Sequence, residues 1–201
     1  MPDKCIDLVL TDPPYGIRVI NANYQNKTTK RGQSKAHKRN YELSSWDDTI
    51  PSKEIFEQII RVSKNQIIFG GNYFVEYLKN SSCWLVWDKD NGENFFADCE
   101  LAWTSFNTAV RKFKFKWNGM LQEYMGRGKE ERFHPTQKPI ELMSWILQNY
   151  SEEGMTILDP FLGSGTTALA CKKLKRNYIG VEISDYYCKV ADERLRQDIL
   201  L

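Results

Sequence analysis

Short apolar runs alternating with helical stretches constrain this chain more than any other property of it. Ile6–Leu10, Gln66–Phe69, Cys83–Trp87, Met155–Leu158 and Tyr178–Glu182 read as short strands, Ile6–Leu10 and Met155–Leu158 with the apolar pattern of buried ones. Ser52 to about Lys64, Pro139–Tyr150, Thr166–Lys175 and Ser184–Leu200 read as helices. The first of these sets Ile55, Phe56, Ile59, Ile60 and Val62 at helical spacing behind a capping Ser52. A short helix is expected over Tyr73–Leu78, and Leu101–Phe106 with Val110–Trp117 reads as an antiparallel pair turning near Asn107. Alternation of this kind predicts an α/β fold with a doubly wound sheet. Such sheets hold their ligands in loops at the carboxyl ends of strands. Two such loops stand out: Thr11-Asp12-Pro13-Pro14-Tyr15-Gly16, and Asp159-Pro160-Phe161-Leu162-Gly163-Ser164-Gly165-Thr166-Thr167.

A length of 201 residues suits one well-buried domain spanning 1–201. Within it a polar, basic loop is expected at about 17–47 and a small insertion at about 107–133. The apolar runs are too short to span a bilayer, and Asp3 sits where a signal peptide carries only bases. The five cysteines are scattered, with no Cys-x-x-Cys, which argues against a disulfide framework or a zinc site and for a reducing, cytoplasmic setting without a metal. A net charge of +2 says little about partners. Its distribution says more: Lys27, Lys30, Arg31, Lys35, Lys38 and Arg39 form a run without an acid, and Arg111–Lys116 holds four more bases.

The second loop follows a strand and opens a helix, where glycines permit a tight turn and close approach of backbone to a ligand. Alone, Gly-Ser-Gly is equally a matter of turn geometry. A second element adds weight: the strand one helix later ends in Glu182, and an acid there accepts hydrogen bonds from ribose hydroxyls in nucleotide-type sites. The loop lacks the Gly-x-Gly-x-x-Gly spacing of a dinucleotide fold and the lysine of a P-loop, so phosphate binding is disfavoured. Upstream, His134-Pro135-Thr136-Gln137-Lys138-Pro139 reads locally as a helix start, with Thr136 as the cap and Pro139 in the first turn. His134 fits a hydrogen-bonding loop residue better than a catalytic base.

These segments together resemble the amino-group DNA methyltransferases, enzymes that move a methyl group from S-adenosylmethionine to the exocyclic amine of adenine or cytosine. The first loop resembles their catalytic motif and the second their cofactor loop. The order, catalytic motif first, resembles the circularly permuted β group. The likeness runs from Ile6 to about Arg196 and includes Phe69-Gly70-Gly71-Asn72-Tyr73, Trp87-Asp88-Lys89 and Asp98-Cys99-Glu100-Leu101-Ala102-Trp103. It implies a Rossmann-like methyltransferase sheet, S-adenosylmethionine as cofactor, and double-stranded DNA as partner, with the protein a monomer or homodimer. It also implies a further strand ahead of the catalytic one, ending in an acid, which this sequence does not include.

Carried over residue by residue, the resemblance assigns cofactor contacts to Asp159, Phe161, Gly163, Ser164, Gly165, Thr166, Thr167 and Glu182. Lys138 is expected to pair with the cofactor carboxylate. Catalysis falls to Asp12, Pro13, Pro14 and Tyr15. An adenine N6 amine is a poor nucleophile because its lone pair is delocalised into the ring. Acceptors at its hydrogens, here the Asp12 carboxylate and the Pro13 carbonyl, favour a tetrahedral nitrogen with a free lone pair, and proline stiffness aims them. Tyr15 offers a stacking face for an extruded base. An Asp at the first position resembles the adenine-N6 enzymes, with cytosine-N4 transfer and a catalytically poor DNA-binding remnant as the alternatives.

DNA contacts are expected from Lys27, Lys30, Arg31, Lys35, Lys38 and Arg39, and from Arg127, Lys129 and Arg132 in the insertion. In Val110–Trp117 the alternation puts Lys112, Lys114 and Lys116 on one face and Phe113, Phe115 and Trp117 on the other. That reads either as a phosphate-tracking strand or as an edge strand guarded by lysines. Neutralising the six bases of Lys27–Arg39 is expected to weaken binding to double-stranded DNA and flatten its salt dependence, by about 0.9 in log–log slope for each phosphate no longer neutralised. Affinity measured across a salt series checks this, and an unchanged slope makes the segment a bystander.

Overall fold

The structure, a computed structural model, describes residues 1–17, 47–91, 97–118 and 121–197, with the backbone alone for Asn118 and Arg127. The basic run Lys27–Arg39 therefore lies outside the described residues. In chain order the main strands are β1 Ile6–Thr11, β2 Ser63–Phe69, β3 Trp84–Asp88, β4 Cys99–Thr104 and β5 Arg111–Lys114. A small hairpin, β6 Trp117–Asn118 and β7 Leu121–Gln122, precedes β8 Thr156–Asp159 and β9 Asn177–Gly180. The helices are α1 Lys53–Val62, α2 Ile140–Tyr150, α3 Thr166–Lys173 and α4 Asp185–Arg196.

Among the described residues, seven strands form one sheet in the order β5-β3-β4-β2-β1-β8-β9. β1 is central, parallel to β2 on one side and to β8 on the other. Buried on both faces, it is apolar at nearly every position, as a strand inside a parallel sheet must be. Leu8 and Leu10 face a core shared with Leu142, Ile146 and Leu147 of α2 and Ala170 of α3. Ile6 and Val9 face the opposite core, with Phe56, Ile59 and Val62 of α1. Helices thus cover both faces of the sheet. From β1 the chain crosses to β2, and from β8 it crosses to β9 on the other side. The boundary between β1 and β8 is therefore a topological switch point, where parallel sheets open a ligand crevice beyond the carboxyl ends of the strands.

Two expectations are corrected. Leu101–Phe106 and Val110–Trp117 do not pair: β3 lies between β4 and β5, antiparallel to the first and parallel to the second. Periodicity reads which face a strand buries and not which strand lies beside it. The faces themselves are as expected. Phe115 and Trp117 are buried, while Lys112 reaches Asp88 at 3.3 Å and Lys114 and Lys116 reach Asp90 at 2.9 and 3.3 Å. Tyr73–Leu78 forms no α-helix. A single 3-10 turn at Gly71–Tyr73 suffices to drive Phe74 into the core against Phe56, with ring centroids 5.0 Å apart. Among the described residues, no helix is long and apolar enough to cross a membrane, and no group of three or more His, Cys, Asp or Glu is arranged to hold a metal.

Helix α2 is capped from a distance. Thr136 does not cap it: Pro139 holds the cap position, and the Thr136 hydroxyl lies 3.0 Å from His134 Nδ1. The first free amide, Ile140 N–H, donates instead to Glu130 Oε2 at 2.9 Å. Glu130 Oε1 accepts from Gln137 Nε2 at 2.8 Å and lies 3.4 Å from the Arg194 guanidinium of α4. One carboxylate thus joins the loop ahead of α2 to α4. Burial pushes it up to about 7, against the Ile140 amide, Arg194 and Gln137. A carboxyl raised on folding contributes stability that is complete below its ordinary value near 4.5 and lost as pH climbs through about 7. Glu130→Gln is therefore expected to flatten the loss of stability between those limits by about 1–3 kcal/mol, read from denaturant midpoints across the pH range. A variant that tracks the parent at every pH contradicts this.

Candidate active site

At the switch point the two sequence loops meet through one buried carboxylate. Asp159, at the end of β8, accepts from the Thr11 hydroxyl at 2.7 Å, the Thr167 hydroxyl at 2.7 Å and Phe161 N–H at 3.1 Å. Thr11 is the last residue of β1, so this acid ties β1, the second loop and α3 together. Burial raises its carboxyl to about 6, against the pull of the three donors.

Asp12 and Pro13 follow β1 directly, and Asp12 is held on both oxygens. Oδ1 accepts from the Tyr15 hydroxyl at 2.6 Å and Oδ2 from the Lys138 ammonium at 2.5 Å. Burial raises the Asp12 carboxyl and Glu100 adds to this, while Lys138 and the Tyr15 hydroxyl oppose it. The Tyr15 phenol is pushed well up by burial and by Asp12, so it stays a donor. Its ring stacks on Tyr73 with centroids 5.0 Å apart. Gly70, at φ +68°, lies so close that a Cβ there would stand 2.2 Å from the Tyr15 ring. Asp47 was not singled out in the sequence, yet its Oδ1 accepts from both Tyr15 N–H and Gly16 N–H at 3.0 Å and so holds the turn after the prolines.

The second loop lines a cavity of about 740 Å³. Asp159, Phe161, Gly163, Ser164, Thr166, Thr167, Glu182 and Lys138 all reach it. Gly165 does not: at φ +85° it lets α3 approach α4, where a Cβ would meet Ala191 at 2.9 Å. Gly163 presents bare backbone, with nothing within 4 Å of where a Cβ would stand. Glu182 Oε2 accepts from Gly163 N–H at 2.7 Å and Oε1 from Ser184 N–H at 2.8 Å, which locks the two halves of the rim. Ser164 and Thr166 both lie against the buried Arg194, whose guanidinium donates to Ser164 O at 2.6 Å. His134 also lines the cavity, its imidazole pulled down to about 4 by burial and by the charges of Lys138 and Arg132, so it is neutral at physiological pH.

A second cavity of about 740 Å³ lies on the other side of Asp12. Its walls include the rings of Tyr15, Tyr73, Trp87 and Trp117, with polar groups from Lys89, Asn91, Glu100 and Arg132. Asp12, Pro14, Thr136, Gln137 and Lys138 line both cavities and form the wall between them. Arg132, expected at DNA, lines this cavity, with its guanidinium over Trp117 at 5.7 Å and donating to Pro135 O at 2.5 Å. Lys129 is exposed. The Arg127 side chain lies outside the described residues. Glu100 and Lys89 went unremarked as site residues in the sequence: β4 and the end of β3 bring them beneath the second cavity, a placement that no local spacing encodes.

Comparison with known proteins follows the same lines. The family described as DNA methylase matches residues 103–193, which takes in the second loop and Glu182. The Type II methyltransferase M.HinfI of Haemophilus influenzae is 25% identical over 98% of this chain and 65% of its own length. The Type II methyltransferase M2.DpnII of Streptococcus pneumoniae is 39% identical over 44% of this chain and 32% of its own length. The chain thus spans less than two thirds of the length of these relatives. The crystal structure of the M1.HpyAVI–SAM complex superposes with a TM-score of 0.57 at 26% identity, covering 95% of this chain and 89% of that one. In sequence and in fold, the chain is similar to amino-group DNA methyltransferases.

Proposed function

We propose that this chain transfers a methyl group from S-adenosylmethionine to adenine N6 in double-stranded DNA, acting on a base drawn out of the helix. One observation carries the reading: two cavities, one walled by the glycine loop and the other by aromatic rings, meet at Asp12 and Pro14.

The first cavity suits the cofactor. Its volume lies in the range of small-molecule sites. Among the described residues its lining carries four carboxylates, Asp12, Asp159, Glu182 and Asp185, against one ammonium, that of Lys138, which suits a ligand bearing a sulfonium and an amino group. Gly163 allows close approach of the ligand to the backbone. Glu182 spends one lone pair per oxygen on backbone amides and keeps the others for ribose hydroxyls. Bound S-adenosylmethionine supplies a methyl group already activated by its sulfonium, so neither a metal nor a covalent intermediate enters the reading.

The second cavity suits the base. Aromatic walls offer stacking worth about 1–3 kcal/mol per base, against an extrusion cost of a few kcal/mol. A carboxylate has about four acceptor sites. Tyr15 and Lys138 take one on each oxygen of Asp12, which leaves room for an amine hydrogen, with the Pro13 carbonyl as the other acceptor. Both acceptors draw the nitrogen toward tetrahedral geometry. As the amine lone pair would form the bond to the methyl carbon, the carbon–sulfur bond would break with its electrons on sulfur as a neutral thioether, and the nitrogen would shed a proton that Asp12 is the carboxylate placed to take. Alignment of the two ligands across the shared wall carries most of the remaining rate.

Asp12→Ala is expected to lower methyl transfer by about 10²–10⁴-fold while leaving cofactor affinity nearly intact. Nucleoside mass spectrometry of unmethylated DNA, digested after incubation with cofactor and either protein, reads the first effect, and calorimetry reads the second. N6-methyladenine from the parent chain alone supports both the reaction and the residue. N4-methylcytosine moves the substrate and keeps the site, and equal loss of transfer and cofactor binding removes the assigned role from Asp12.

A further inference from the structure

A chain of alternating charges runs under the wall between the two cavities. Lys89 Nζ lies 2.5 Å from Glu100 Oε1, Lys138 Nζ lies 3.0 Å from Glu100 Oε2, and the same Lys138 nitrogen lies 2.5 Å from Asp12 Oδ2. The Lys138 side chain is only 5% exposed, so its ammonium must be compensated by protein groups and not by water. Two carboxylates do this. Among the described residues no directed hydrogen bond reaches Glu100 Oε2, so its contact with Lys138 is an ion pair, whereas Lys138 to Asp12 is a full charge-assisted hydrogen bond. The stronger grip is therefore on Asp12. Rings of Tyr15 and Phe69, with centroids 5.6 and 5.3 Å from the ammonium, close the remaining sides.

We propose that Lys138 is a positioning residue for the transfer read above: its ammonium aims and neutralises the Asp12 carboxylate, and Glu100, anchored by Lys89, holds Lys138 in place. This rests on the methyltransferase reading and goes beyond it, because a cofactor-carboxylate contact would leave Asp12 without a counter-charge. Among the described residues the groups that face Asp12 are Lys138 from the loop ahead of α2, Glu100 from β4, Tyr15 from its own loop and Asp159 from β8. Against burial, the two lysines bring Glu100 down to about 2, so it is charged at any working pH. Lys138 is held protonated by Asp12 and Glu100. Removing the lysine and removing the glutamate must then move the protonation of Asp12 in opposite directions. A merely structural role does not produce that pair of results.

The test uses the full chain with ¹³C-labelled aspartate carboxyls, the Asp12 signal being assigned by its absence in Asp12→Asn. Titrated without cofactor, Lys138→Met is expected to move the Asp12 midpoint upward by about one to three pH units, and Glu100→Gln to move it downward. The acid limb of the kcat/KM profile should follow in the same directions. Lys138→Arg should return the limb toward that of the parent. Calorimetry with S-adenosylmethionine should show the Kd of Lys138→Met within about threefold of the parent, while kcat falls by about 10²-fold. An unmoved Asp12 midpoint in both variants, or a Kd weakened more than about tenfold with an unmoved limb, overturns the proposal. If Lys138→Met does not fold, the direction of the Glu100→Gln titration decides alone. A parent chain that makes no methylated base refutes the methyltransferase reading separately, since the carboxyl titration needs no turnover.

Discussion

The Asp159 carboxylate is the contact on which the site depends. It is buried at the end of β8 and takes three donors: the Thr11 hydroxyl from β1, the Thr167 hydroxyl from α3, and its own loop's Phe161 amide. Thr11 and Asp159 are separated by 148 positions. Their bond closes the place in the sheet where adjacent parallel strands carry the chain in opposite directions. A cleft opens there in any doubly wound sheet. Here the bond sets how wide the cleft begins and which residues stand at its lip, Asp12 on one side and Phe161 on the other.

From that point the two cavities follow. β1 delivers Asp12-Pro13-Pro14 between them, and the residues ahead of α2, Thr136 to Lys138, fill the remaining wall from behind. The prolines cannot donate a backbone hydrogen bond and hold a fixed φ, so β1 ends at Thr11 and the segment crosses the divide without joining the sheet. Asp47 then binds the amides of Tyr15 and Gly16, and Gly70 lets the Tyr15 ring lie directly on backbone. The hydroxyl of Tyr15 returns to Asp12 Oδ1 and holds that oxygen of the carboxylate.

Three buried carboxylates show how differently one fold treats the same group. Glu100 sits between two ammonium groups, and their charge outweighs burial. Asp159 and Glu130 are satisfied mainly by neutral donors, and burial prevails in both. Hydroxyls and amides bind a carboxylate but do not neutralise it. Two ammonium groups therefore stand at Glu100 beside the proposed base cavity, whereas Asp159 joins its elements through neutral donors alone and Glu130 through neutral donors and the more distant Arg194 guanidinium.

Much of this was written in local sequence. The strand-and-helix alternation, the apolar β1, the Asp-Pro-Pro-Tyr loop and the Gly-Ser-Gly turn leading into α3 all follow from spacing over a few residues, because secondary structure and turn chemistry are local. The inward face of Phe113, Phe115 and Trp117 was legible for the same reason. Neighbour relations were not. Nothing near Val110 says that β3 will lie beside β5, nothing near Thr136 says that Glu130 will cap α2, and nothing near Lys138 says that Asp12 and Glu100 will share its charge. Those facts depend on which distant elements come into contact, and burial then makes each such contact energetically decisive. The sequence by itself determined an α/β sheet with two ligand-bearing loops at strand ends. Only the tertiary structure decided that those loops face each other across one wall, and that a buried lysine stands behind it.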